Sequence, residues 1–141
     1  IPTILSTGMS TLEEVKEAVE IFSNQEIGLL HSVSTYPAEI SELNLNVILT
    51  YKDLFPGAVI GYSGHEVGLS PTYAAVALGA KIIERHITLD RSMWGTDQSA
   101  SIEPHGLSIL ISNIRDIEKS LGDGKKIVTE GEKIIRKKLR G

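Results

Sequence analysis

Residues 58–88 read AVIGYSGHEVGLSPTYAAVALGAKIIERHIT, and this stretch decides the fold. Ala58–Ser63 is a short apolar run entered from Pro56-Gly57, as a buried strand is. Ser70-Pro71 then opens a helix that stops near Gly79. Proline suits the first helical position because its missing N–H would have no partner there. Lys81–Thr88 is a second strand. Strand, helix and strand in succession make a crossover, and crossovers join parallel strands.

The same unit repeats toward the amino terminus. Thr3–Ser6 is a strand, residues 11–23 a helix, Ile27–Val33 a strand and residues 44–55 a helix, with the loop Ser34–Leu43 around Tyr36-Pro37. Ser10 and Glu13 have capping-box spacing, and Leu12, Val15, Val19 and Phe22 recur at helical intervals. Toward the carboxyl terminus, a polar loop from Leu89 to Ile102 leads to a helix over Pro104–Leu121. Its apolar face is Leu107, Leu110, Ile111, Ile114 and Ile117, and Gly122 is its stop. Strand ends near Ser6, Val33, Ser63 and Ile87 are 27, 30 and 24 residues apart. The fold class is therefore α/β with a parallel sheet, either doubly wound or part of a (β/α)8 barrel. Neither GxGxxG nor GxxxxGK[ST] occurs, which favours the TIM barrel, of which this chain supplies about four of the eight βα units.

The 141 residues suit one domain, and the absence of cysteine excludes thiolate catalysis and Cys-ligated zinc. No apolar run approaches the roughly 18 residues of a membrane span. The opening IPTILSTG lacks the basic start and long apolar stretch of a signal peptide, so a cytoplasmic location is expected. Residues 125–141 hold seven basic and two acidic residues, a net +5 that leaves −9 on the rest. A basic tail suits phosphate or nucleic acid, or a solvated helix or linker. The acidic body and 5% aromatic content point away from nucleic acid.

Polar residues gather at the carboxyl ends of the strands, where α/β folds build their sites. His65 lies just past the third strand and His86 near the end of the fourth. Neighbouring strand ends can bring two imidazoles to one pocket, as metal ligands or as hydrogen-bonded loop histidines. Ser6, Ser34 and Ser63 share that edge and suit anion oxygens or turn capping. Tyr36 can offer a phenol to a polar ligand or simply pack. Asp97 can accept hydrogen bonds from sugar hydroxyls or hold its own loop. Glu84, two residues before His86, faces the same side and can serve as acid or base, or pair with a lysine. His31, mid-strand among leucines, reads as a core histidine, and His105 as exposed. No Ser-His-Asp spacing, HExxH motif or nucleophile elbow is present, which argues against the common hydrolases.

The segments ILSTGMSTLEE, LLHSVSTYP, GYSGHEVG, ALGAKIIERHITLD and WGTDQSASIEP together resemble the N-acetylneuraminate (sialic acid) synthase family across nearly all of residues 1–122. The resemblance implies the carboxyl-terminal half of a (β/α)8 catalytic barrel, strands five to eight, over residues 1–122. It also implies that the basic tail, 123–141, links to a small antifreeze-like domain. It implies condensation of phosphoenolpyruvate with the open-chain aldehyde of N-acetylmannosamine or a related sugar such as a legionaminate or pseudaminate precursor. It implies a divalent metal, usually Mn2+ with Mg2+ or Co2+ as alternatives, held by His65 and His86. Ser6 and Ser63 would contact phosphoenolpyruvate, with a shorter reach from Ser34, where bacterial members often have Asn. Tyr36 and Asp97 would hold the sugar. Glu84 is the expected catalytic acid or base from its place two residues before His86, not from the resemblance. The loop reads Gly-His where some members have Asp-His, so one carboxylate is lacking before His65. In the family the acid or base and the phosphate-binding lysines come largely from the first half of the barrel, so the chain alone is expected to be inactive or nearly so. The alternative is a non-catalytic half-barrel that associates with partners. The full-length protein is expected to be a homodimer that binds neither nucleic acid nor membrane.

Overall fold

The computed structural model describes residues 1–140. Four parallel strands, β1 (Thr3–Ser6), β2 (Ile27–Ser32), β3 (Val59–Gly64) and β4 (Ile82–Arg85), form one sheet in the order β1-β2-β3-β4. Helices α1 (Leu12–Ile21), α2 (Val47–Leu54) and α3 (Ser70–Ala77) make the crossovers, and α4 (Pro104–Leu121) and α5 (Glu130–Arg140) follow. The sequential strand order is that of an open arc of a barrel, since a doubly wound sheet reverses direction at a switch point.

The register sorts the strand residues into two faces. Residues level across a parallel pair share a face, and alternate residues along a strand return to it. Leu5, Leu29, Ile60, Tyr62 and Ile83 therefore face the helices. There Leu29, Ile60 and Tyr62 join Val15, Ile48, Tyr51, Ala75 and Ala80 in the core. Tyr51 ties the layers by donating from its hydroxyl to Thr7 Oγ1 at 3.0 Å, and Thr7 Oγ1 donates to the Leu30 carbonyl at 2.9 Å.

The opposite face carries no helix. Ile4, Leu30, Val59 and Ile82 form its lower part, with Ile4 and Val59 exposed. Gly28 and Gly61 lie among them and give up their side-chain space to these neighbours. A Cβ on Gly61 would sit 2.5 Å from the Ile82 carbonyl oxygen and 2.8 Å from Ile82 Cβ. Above this apolar part, Ser32, Ser63 and Glu84 are level in one row. The bare face is thus apolar below and polar toward the strand carboxyl ends.

Several expected boundaries shift. The capping box of α1 uses Thr11 and Glu14, not Ser10 and Glu13: Glu14 Oε2 accepts from the Thr11 N–H at 2.7 Å, and Thr11 Oγ1 from the Glu14 N–H at 3.3 Å. A turn in which the Ser10 N–H donates to the Thr7 carbonyl occupies Ser10 before the helix begins. Those hydrogen bonds from Thr11 hold the Glu14 carboxyl below the usual range. The helix expected from residue 44 begins at Val47, after a separate 3-10 turn at Ile40–Glu42, because Asn44 takes φ of 42° and breaks the run. β4 ends at Arg85 rather than Thr88. Beyond it the Ile102 N–H donates to the His86 carbonyl and the Thr88 N–H to the Ile102 carbonyl, both at 2.9 Å, so the chain pairs with its own returning loop. Helix α4 packs on α3 and buries only Leu110 fully, leaving Ile111 of the expected apolar face half exposed. Among the described residues the basic tail is helical in α5, capped by Thr129 and Glu132, and exposed.

Candidate functional site

Ser63 and Glu84 stand level on the upper part of the bare face, and His65 and His86 follow two residues later, one residue past the ends of β3 and β4. The two imidazole centres are 5.3 Å apart and perpendicular. His65 Nδ1 lies 2.6 Å from the Val33 carbonyl oxygen. A carbonyl only accepts, so Nδ1 carries the proton and the neutral ring keeps its lone pair on Nε2. His86 Nδ1 is 3.5 Å from Asp97 Oδ2, which favours the same tautomer there. Tyr36 packs against both rings, its centre 4.6 Å from His86 and 5.5 Å from His65. Its hydroxyl lies 3.1 Å from Ser101 Oγ, which donates to the Asp97 carbonyl at 2.7 Å. Asp97 also accepts from Thr96 Oγ1 through Oδ1. The loop return at Ile102 thus brings His65, His86, Tyr36 and Asp97 together.

This arrangement fits a divalent cation. A nitrogen about 2.1 Å from a metal puts its ring centre about 3.2 Å away, so two rings at roughly tetrahedral angles are about 5 Å apart. Metal-bound histidines commonly donate their other N–H to a carbonyl or carboxylate; the Val33 carbonyl accepts from His65, and the Asp97 carboxylate stands 3.5 Å from His86 Nδ1. Among the described residues no group of three His, Cys, Asp or Glu side chains is close enough to hold an ion.

Beside the pair, Ser63 Oγ donates to Glu84 Oε1 at 2.8 Å. Ser63 is buried and Glu84 exposed, and the carboxylate takes a hydroxyl partner rather than a lysine. Ser6 shares the bare face but lies one row lower, level with Leu30 and Gly61. Ser34 lines a separate cleft of about 510 Å³ above the ends of β1 and β2, with Thr7, Ser32 and Tyr51. His65, His86 and Tyr36 do not line it. Ser32, level with Ser63, is buried with its hydroxyl unpartnered. His31 faces the helices, its Nε2 donating to the Leu43 carbonyl at 2.6 Å, and burial outweighs that bond to lower its pKa. His105 is exposed at the start of α4.

Sequence reasoning passed over a buried polar group behind the histidines. Glu66 is fully buried and accepts from Arg85 Nη1 at 2.9 Å, Tyr62 Oη at 2.8 Å and Thr72 Oγ1 at 3.2 Å. Burial and the Glu66 carboxylate push the Tyr62 phenol well above its usual range. The signal was present in Gly64-His-Glu66 and Glu84-Arg-His86, where each histidine has a charged neighbour that must face the other way.

Comparison with known proteins supplies the kinship. Residues 1–126 match the NeuB family. The chain belongs to this family. It is 42% identical over 140 residues to the N-acetylneuraminate-9-phosphate synthase of Homo sapiens, covering 98% of this chain and 39% of that protein. It is 44% identical over 145 residues to the N,N'-diacetyllegionaminic acid synthase of Campylobacter jejuni, covering 96% of this chain and 43% of that protein. The crystal structure of the N-acetylneuraminic acid synthetase of Leptospira borgpetersenii, in complex with citrate, superposes with a TM-score of 0.85 at 39% identity, covering 97% of this chain and 50% of that one. The NeuB family is thus one of sialic, legionaminic and pseudaminic acid synthases, which are enzymes. This chain spans about two fifths of the length of the curated relatives it matches. The NeuB match ends before α5. Among the described residues no helix is long and apolar enough to cross a membrane.

Proposed function

We propose that this chain supplies the metal-binding part of a synthase that condenses phosphoenolpyruvate with N-acetylmannosamine or a related open-chain sugar, forming a carbon–carbon bond, taking up one water at C2 of phosphoenolpyruvate and releasing phosphate. The convergence of His65 and His86, each with Nδ1 facing an acceptor, carries this reading. His65 and His86 hold a divalent cation, Mn2+ by preference with Mg2+ or Co2+ as substitutes. When bound, the ion polarises the aldehyde oxygen as a Lewis acid toward attack by C3 of phosphoenolpyruvate. Tyr36 and Asp97 hold the sugar beside the histidines. Ser6 and Ser63 bind phosphoenolpyruvate oxygens along the strand ends, and Ser34 contributes from the adjoining cleft that Ser32 also lines. Glu84, which accepts a hydrogen bond from Ser63, moves protons at the reacting centre as general acid or base.

In this reading residues 1–122 are strands five to eight of a (β/α)8 barrel with their helices, and residues 123–141 lead toward an antifreeze-like domain. The full-length protein works as a homodimer in the cytoplasm, binding neither nucleic acid nor membrane. The 44% identity to a legionaminic acid synthase supports a second sugar, the legionaminate precursor, at the same site.

Titration of the chain with Mn2+, read by the electron paramagnetic resonance of the free ion, tests the metal site. His65→Ala and His86→Ala are each expected to weaken binding at least tenfold, since each removes one of two ligands. Unchanged affinity in both would sink the assignment. Phosphate release from phosphoenolpyruvate with each sugar, measured in the full-length protein, tests the reaction.

A further inference from the structure

His65 is followed by Glu66 and His86 is preceded by Arg85. Both charged neighbours turn toward Tyr62 of β3 and Thr72 of α3, on the helix side of the sheet. Both are buried, with 0% and 4% of their side chains exposed, and they pair at 2.9 Å. Arg85 also grips the backbone just past His65: Nη2 donates to the Glu66 carbonyl at 2.6 Å and Nη1 to the Gly68 carbonyl at 3.0 Å. Nη1 further donates to Thr72 Oγ1 at 2.7 Å, which anchors the group on the first turn of α3. Gly64 leaves room for the pair, since a Cβ there would lie 2.8 Å from Glu66 Oε2 and 2.9 Å from Arg85 Cδ.

Buried ion pairs contribute little net stability, because desolvating two charges offsets their attraction, and apolar replacements of similar volume are often neutral or stabilising. A guanidinium differs from an apolar side chain in fixing direction as well as distance. One guanidinium here ties the strand end that bears His86 to the loop that follows His65. We propose that the Glu66–Arg85 pair is a positioning device that sets the separation and orientation of His65 and His86, and so the affinity of the divalent cation. The inference rests on reading the two histidines as metal ligands.

The test measures Mn2+ affinity and thermal unfolding in parallel on the same chain. In the double variant Glu66→Leu/Arg85→Met, Mn2+ binding is expected to weaken about tenfold and the melting temperature to fall, since the Tyr62 and Thr72 hydroxyls lose their buried acceptor. Arg85→Lys, which keeps the charge but loses the fork, is expected to weaken binding several-fold and provides the decision if the double variant does not fold. Tyr51→Phe, which removes the bond to Thr7 in the same core, is expected to lower the melting temperature and leave Mn2+ affinity unchanged. Wild-type affinity in the folded double variant, or in Arg85→Lys where only that one folds, overturns the inference alone. A parallel loss in Tyr51→Phe also overturns it, since general loosening would then explain the effect. A wild-type chain that fails to bind Mn2+ overturns the metal reading itself, and the inference with it.

Discussion

Gly61→Ala isolates the steric logic of the bare sheet face. Gly61 lies between β2 and β4, level with Leu30 and Ile82. A new methyl would meet the Ile82 carbonyl oxygen at 2.5 Å and Ile82 Cβ at 2.8 Å, where ordinary carbon contacts are about 3.5–4.0 Å. The carbonyl belongs to the backbone of β4 and accepts no rotamer change, so relief requires β4 to move away from β3. Overpacking costs about 1–3 kcal/mol where side chains can adjust, and the rigid neighbour here puts the cost near about 3 kcal/mol. With a urea m-value of about 2 kcal/mol/M, the unfolding midpoint should fall by about 1.5 M. Gly57→Ala is the control, because nothing lies within 4 Å of its Cβ position. There the midpoint should hold, or rise by about 0.2–0.5 M, because the lower entropy of the unfolded chain adds about 0.4–1 kcal/mol. A Gly61→Ala midpoint indistinguishable from that of Gly57→Ala would refute the argument from packing.

Two further outcomes are open to the same denaturation assay. Thr11→Ala should cost about 1 kcal/mol by removing the cap of α1, whereas Ser10→Ala should cost almost nothing; the reverse ranking would restore the Ser10 box. His31 is buried neutral with its pKa lowered, so the unfolded chain binds its proton more readily than the native one. Its contribution is fully present above about pH 6.5 and is lost as pH falls below that, at up to about 1.4 kcal/mol per unit. Midpoints measured between pH 7.5 and 5.5 should fall less steeply in His31→Gln than in wild type, and equal slopes would exclude the assignment.

Much of the architecture was legible because strand and helix carry different apolar periods. The run Ala58–Ser63, the Ser70-Pro71 start and the stop at Gly79 each reflect a local preference that the tertiary structure left intact. The boundaries that moved had competing local solutions. Ser10/Glu13 and Thr11/Glu14 satisfy the same capping spacing, and only the turn from Thr7 chooses between them. Lys81–Thr88 reads as one strand, but pairing with Ile102 takes over after Arg85.

The sequence by itself determined that parallel βα units would present Ser6, Ser63, Glu84, His65 and His86 at one end of a sheet, since alternation and crossover geometry demand it. Only the tertiary structure decided that the loop after β4 returns to set Asp97 beside His86 and Ser101 beneath Tyr36. It alone placed Ser34 in a separate cleft and joined Glu66 to Arg85 behind the histidines. The physical reason is range: periodicity and caps act over a few residues, whereas these contacts join side chains 11 to 65 positions apart, where only the packed sheet fixes distance.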